Sequence, residues 1–130
     1  MMHRLFLIDD HGPMRSSLAR FLDGEPDISV CGQAGSAREG LSQLGTETPD
    51  LILVDVSMPE MNGIEFVREL KKTQPDLKCL MVSAHAQLDY VDEALKAGAW
   101  GYVMKEDPLD VLEAIRQVMR GEVYVGLGVE

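Results

Sequence analysis

Five short apolar runs divide the chain, each separated from the next by enough residues for a helix. They are Arg4–Ile8 (RLFLI), Ile28–Ala34 (ISVCGQA), Leu51–Val56 (LILVDV), Leu77–Ala84 (LKCLMVSA) and Trp100–Lys105 (WGYVMK). All are strand-length and rich in Val, Ile, Leu or aromatic residues. Between them apolar residues recur at helical spacing: Met14, Leu18, Phe21 and Leu22, then Ala37, Leu41 and Leu44, then Ile64, Val67 and Leu70, then Leu88, Val91 and Leu95. Leu109, Leu112, Ile115 and Met119 mark a further helical face after the last run.

The punctuation agrees. Ser36 with Glu39 reads as a capping box opening the second helix. Asn62-Gly63 signals a turn, and Gly98 is a stop for the fourth helix. Asp107-Pro108 reads as an N-cap followed by proline at the first helical position, and Gly121 ends the fifth helix. Beyond Gly121 the helical period is lost, so residues 122–130 read as a frayed end or the start of a linker. Strands alternating with helices imply right-handed crossovers and a parallel sheet covered on both faces. Near-continuous apolar strands fit burial on both sides. The length of 130 residues suits a single α/β domain.

Polar residues then fall in an informative place. In a parallel sheet all strand C-terminal ends gather along one edge. Asp9 and Asp10 close the first run, Asp55 the third, Ser83 the fourth and Lys105 the fifth. In open α/β sheets ligands bind outside these ends, where strand order reverses. If the reversal lies between the first and third strands, Asp9, Asp10 and Asp55 meet there. Three close carboxylates either raise one another's pKa or hold a cation. An all-oxygen site without His or Cys suits a hard ion, with Mg²⁺ favoured over transition metals. Lys105 supplies a positive charge for an anion such as a phosphoryl group, and Ser83 a hydroxyl donor. Together they describe a phosphoryl-transfer site in which Asp55 is the acceptor. Singly, each has an ordinary explanation: a solvated turn for the acid pair, a strand-end hydroxyl for Ser83, a surface lysine for Lys105. The joint placement favours the functional reading.

Composition narrows the partners. The net charge of −10 argues against direct binding to nucleic acid or an anionic membrane, because phosphate contacts need clustered Lys and Arg. The two cysteines, Cys31 and Cys79, sit beside apolar residues and read as reduced, packed thiols. The N-terminal apolar run is too short for a signal peptide, and none approaches the about 20 residues needed to cross a bilayer. A cytoplasmic location is the default expectation.

Four segments in order resemble the receiver domain of two-component response regulators. "LIDDHGPMRSSL" is similar to the family's acidic pair and first helix, and "PDLILVDVSMPEMNGIEF" to its phosphoacceptor strand and loop. "MVSA" is similar to the hydroxyl strand, and "KAGAWGYVMKE" to the lysine strand. The resemblance implies a flavodoxin-like (βα)5 fold, a doubly wound five-stranded parallel sheet of order 2-1-3-4-5 over residues 1–121. It also implies roles. Asp55 accepts phosphoryl from a sensor histidine kinase or phosphotransfer protein. Asp9, Asp10, Asp55 and the Ser57 backbone carbonyl hold Mg²⁺. Ser83 and Lys105 contact the phosphoryl group. Tyr102 matches the switch aromatic, whose ring moves inward as Ser83 shifts toward the phosphate. "DDHGPMRSSL", "GYVMKED" and "RGEVYVG" resemble regulators of the NarL/LuxR type, which implies transcriptional output through a C-terminal helix-turn-helix domain beyond this chain, with homodimerisation on phosphorylation. A single-domain regulator and a degenerate receiver acting only as an interaction module are the alternatives.

The chain also departs from the family pattern. Glu106 stands where many receivers have a proline after the lysine, often with a cis bond, which leaves the geometry of the Lys105–Glu106 peptide open, because cis bonds before other residues are rare. Ser57 and His85 occupy positions that tune phosphoryl lifetime in the family. Haloacid-dehalogenase-type phosphatases also form an aspartyl phosphate, but they need an Asp where Ser57 stands.

Overall fold

The computed structural model describes residues 2–84 and 88–126. Its elements, in chain order, are β1 (His3–Ile8), α1 (Gly12–Asp23), β2 (Ile28–Ala34), α2 (Ala37–Gln43), β3 (Leu51–Asp55), α3 (Gly63–Thr73), β4 (Lys78–Ser83), α4 (Leu88–Ala97), β5 (Gly101–Met104), α5 (Pro108–Met119) and β6 (Tyr124–Gly126). The sheet is wholly parallel, in the order β2-β1-β3-β4-β5-β6.

The period of two along each strand builds two cores. Phe6, Ile8, Ile52, Val54, Cys79, Met81 and Tyr102 pack on one side of the sheet with α2, α3 and α4 residues such as Phe66, Val67 and Ala94. Leu5, Leu7, Leu51, Leu53, Leu80, Val82 and Val103 pack on the other with Leu22 of α1 and Val111, Ile115 and Val118 of α5.

The sheet has one strand more than the five expected. Residues 124–126, read from sequence as tail, pair with β5 instead. Gly101 permits this: a Cβ there would come within 2.9 Å of Leu80 Cδ1 and collide with the Tyr124 carbonyl. The Tyr124 hydroxyl donates to the Asp110 carboxylate on α5, and its N–H donates to the Trp100 carbonyl at 3.2 Å. A three-residue strand carries too little periodicity to show in sequence.

Other details also differ from expectation. Leu88 and Leu109, read as core-facing, are 72% and 69% exposed. Each is the first or second residue of its helix, and the buried faces are instead Val91 and Ala94 in α4 and Val111, Leu112, Ala114, Ile115 and Val118 in α5. Ser36 accepts from the Glu39 N–H at 3.1 Å as expected, but the Glu39 carboxylate reaches back to the Gly35 N–H rather than to that of Ser36. The full reciprocal box belongs to α3, where Asn62 and Glu65 exchange backbone-to-side-chain bonds of 2.9 Å each. Asp107 caps α5 with Pro108 behind it, and Gly98 and Gly121 adopt positive φ values of 114° and 87°. No cis peptide occurs among the described residues, so Lys105–Glu106 is trans.

Gly63 ties the fold to the ligand edge. As the first residue of α3 its N–H donates to the Val56 carbonyl at 2.9 Å. A Cβ on it would collide with the Asp55 carbonyl and lie 2.8 Å from Met81 Cε. Only glycine lets α3 start against the end of β3. Gly63→Ala is expected to destabilise the protein by about 1–3 kcal/mol, the usual cost of overpacking, as measured by urea unfolding.

Candidate functional site

Asp55 is the last residue of β3 and is 5% exposed, and Asp9, one residue past β1, is 8% exposed. Register makes them neighbours, because Ile8 pairs with Val54. The Lys105 N–H donates to the Ser83 carbonyl at 2.8 Å, continuing the β4–β5 ladder by one residue and bringing the lysine to the same edge. Its Nζ then lies 3.1 Å from Asp9 Oδ2 and 3.5 Å from Asp55 Oδ2. Asp9 Oδ1 accepts the His11 N–H at 2.9 Å, so both its oxygens are engaged. Asp10 is exposed, and one carboxylate oxygen from each of Asp9, Asp10 and Asp55 lies within 4.8 Å of the others. The Ser57 N–H donates to Asp55 Oδ1 over a long 3.4 Å.

The charges do not balance. Burial and the neighbouring Asp9 charge push the Asp55 carboxyl up to about 6, against the opposing pull of Lys105. Burial works to lower Lys105, but the Asp55 and Asp9 carboxylates outweigh it and hold the ammonium above its ordinary pKa. A cluster that raises an acid in this way has spare capacity for a cation. Its donors are all carboxylate oxygens, which fits Mg²⁺.

Ser83 and Tyr102 lie on the other side of the sheet edge, and both are fully buried. Burial raises the Tyr102 phenol, while a side-chain hydrogen bond with Ser83 opposes the shift. The Tyr102 ring is thus fully buried while Asp55 is unmodified. Among the sequence-nominated residues, Asp9, Asp10, Asp55 and Lys105 converge directly, Ser83 and Tyr102 form a linked pair beside them, and Ser57 touches Asp55 through its backbone. His85 lies outside the described residues. Sequence reading missed Arg15 of α1, whose Nη1 donates to the Asp9 carbonyl at 2.6 Å. A lone arginine on a helix gives no such signal until the fold places it.

A doubly wound sheet with an acid cluster and a lysine at its reversal point defines the receiver class of signalling domains. The response regulator receiver domain profile matches residues 5–116, and the chain belongs to that family. It is 36% identical to the DNA-binding transcriptional activator DevR/DosR of Mycobacterium tuberculosis, over 92% of this chain and 56% of that protein. It is also 36% identical to the nitrate/nitrite response regulator protein NarL of Escherichia coli, over 93% of this chain and 56% of that protein. The chain thus spans little more than half the length of these curated relatives, which are NarL/LuxR-type regulators. Among solved structures, a LuxR-family response regulator from Aurantimonas superposes with a TM-score of 0.91 at 29% identity, covering 95% of this chain and 89% of that one. A CheY-like receiver domain protein from Methanospirillum hungatei gives 0.81 at 31% identity, covering 93% and 96%.

The raised Asp55 carboxyl has a consequence for stability. Its folded value of about 6 exceeds the ordinary 3.8, so between those pH values the folded chain holds a proton that the unfolded chain has lost. Stability from this group therefore falls as pH rises from about 4 to about 6, and the deficit is fully present above that window. Asp55→Asn, in chelator, is expected to raise the midpoint of thermal unfolding at pH 7.5 by several degrees, and by much less at pH 4.5, as read by circular dichroism.

Proposed function

We propose that this receiver accepts a phosphoryl group on Asp55 from a sensor histidine kinase or phosphotransfer protein, with Mg²⁺, and so switches an output. The observation that carries this reading is the Lys105 ammonium held between two buried carboxylates beside an exposed third. An Asp55 oxygen attacks the phosphorus, and the bond to the donor's imidazole nitrogen breaks as the electron pair leaves with that nitrogen. Catalysis is then positioning and charge neutralisation. Asp9, Asp10, Asp55 and the Ser57 carbonyl would hold the metal, which would supply charge neutralisation for the phosphoryl oxygens. Lys105 exchanges its carboxylate partners for a phosphoryl oxygen. Ser83 donates to another, and the Ser83–Tyr102 pair conveys the change to the α4–β5 side.

Partners follow from the relatives and the charge. DevR/DosR is described as a DNA-binding transcriptional activator, so we assign this chain a transcriptional output through a C-terminal helix-turn-helix domain, with the receiver extending past residue 121 to include β6. Homodimerisation on phosphorylation belongs to the same reading. The chain's net charge of −10 leaves DNA contact to the other domain. No helix among the described residues is long and apolar enough to cross a membrane, and we place the protein in the cytoplasm. In this reading it catalyses only its own phosphorylation and dephosphorylation.

Acetyl phosphate with Mg²⁺ is expected to add one phosphoryl group, visible by intact-protein mass spectrometry, and beryllofluoride with Mg²⁺ to bind at the same site. Asp55→Asn should abolish both, and Asp10→Asn should raise the Mg²⁺ concentration required by about tenfold or more. A folded wild-type protein that shows neither response rules out the switch.

A further inference from the structure

Asp10 is the exposed member of the acid cluster, and its carboxylate has no hydrogen bond among the described residues. Its aim therefore depends on the backbone that carries it. That backbone is held on both sides by Arg15. The Arg15 guanidinium donates from Nη1 to the Asp9 carbonyl at 2.6 Å, fixing the peptide that enters Asp10. The Arg15 main-chain N–H donates to the His11 carbonyl at 3.0 Å, fixing the turn that leaves it. The guanidinium is itself anchored to β2: Nε donates to Gln33 Oε1 at 3.1 Å, and Nη1 also reaches the Ala34 carbonyl at 3.4 Å. That same Ala34 carbonyl accepts the Asp9 N–H at 3.1 Å. One side chain on α1 thus ties together the C-terminal ends of β1 and β2, while the bond to His11 is a main-chain bond that any residue at this position would make.

We infer that Arg15 is a positioning residue for the acid pair: through the Asp9 carbonyl and Gln33 it presets the direction of Asp10 for a divalent cation. The inference rests on the Mg²⁺ reading of the site given above. A planar guanidinium suits the task because its rigid fork holds the Gln33 amide oxygen and the Asp9 carbonyl in a fixed relative geometry. Groups that orient metal ligands from behind typically alter affinity 10–100-fold when removed.

Charge and geometry make opposite predictions here. A cation beside a cation site repels the incoming metal, so deleting the Arg15 charge alone would tighten Mg²⁺ binding. Loss of orientation weakens it. Arg15→Met is expected to raise the Mg²⁺ dissociation constant about tenfold in isothermal titration calorimetry of the whole chain. Gln33→Ala, which leaves the charge in place and removes only the Nε acceptor, should weaken binding in the same direction by a smaller factor, and it serves as the test if Arg15→Met does not fold. In metal-free protein, the amide resonances of Asp10 and His11 should shift in both variants while those of β4 and β5 stay in place. A purely structural role would instead lower the unfolding midpoint and leave the affinity of the folded protein unchanged. Unchanged or tighter Mg²⁺ binding in folded Arg15→Met, or in Gln33→Ala where the first variant fails to fold, overturns the inference. Wild-type protein that binds no Mg²⁺ overturns the reading beneath it.

Discussion

Lys105 Nζ sits between the carboxylates of Asp9 and Asp55, with all three side chains no more than 11% exposed. Buried charges are tolerated only when paired, and here one ammonium serves two acids. The pairing spans the sheet: Asp9 ends β1, Asp55 ends β3 and Lys105 follows β5, so only a parallel sheet with β1 and β3 adjacent can assemble it. The arithmetic leaves one negative charge uncompensated, and burial together with the neighbouring Asp9 charge pushes the Asp55 carboxyl up to about 6. A well-satisfied buried network would be inert. This one is short of positive charge, which leaves it room for a cation.

Strand alternation sorts the site into two halves. Asp9, Asp55 and Lys105 continue the parity of Leu7, Leu53 and Val103, which face α1 and α5. Ser83 and Tyr102 share the parity of Met81, which faces α3 and α4. Charge chemistry is therefore confined to one side of the sheet edge and the hydroxyl–aromatic pair to the other. They meet only where the strands end, because the Lys105 N–H bonds to the Ser83 carbonyl at 2.8 Å. A rearrangement of Lys105 is thereby connected to Ser83 through one backbone hydrogen bond, without any long chain of intermediaries.

Much of this was legible in the sequence, for identifiable reasons. Strand runs and helix faces follow from burial, and burial leaves a strong period over five residues or more. The site acids were legible because a carboxylate at the end of an apolar run conflicts with its surroundings. What escaped were features set by tertiary context. Leu88 and Leu109 fit the helical period but sit at helix starts, where the surface curves away from the core. The β6 strand depends on Gly101 and on the bond from Tyr124 to Asp110, none of which signals pairing locally. Arg15 had no sequence signature because its partners, two backbone carbonyls and the Gln33 side chain, are brought to it only by the fold. Asn62 looked like half of a turn, although its spacing to Glu65 is that of a capping box.

The position of Tyr102 bears on what phosphorylation has to accomplish. Its ring is fully buried and linked to Ser83 while Lys105 still holds the unmodified Asp55. The buried ring is thus compatible with an unphosphorylated acceptor site. A ligand shifts an equilibrium only by its differential affinity for the two states. In the proposed mechanism the differential contact would be the one between phosphoryl oxygens and the Ser83 hydroxyl, since Lys105 would have charged partners in either state. The energy for switching from that contact would be that of a charge-assisted hydrogen bond, on the order of 1.5–3 kcal/mol. That is enough to move a balanced equilibrium about tenfold or more, and too little to overturn one strongly biased outward. A ring already buried is the arrangement on which so modest a bond can act.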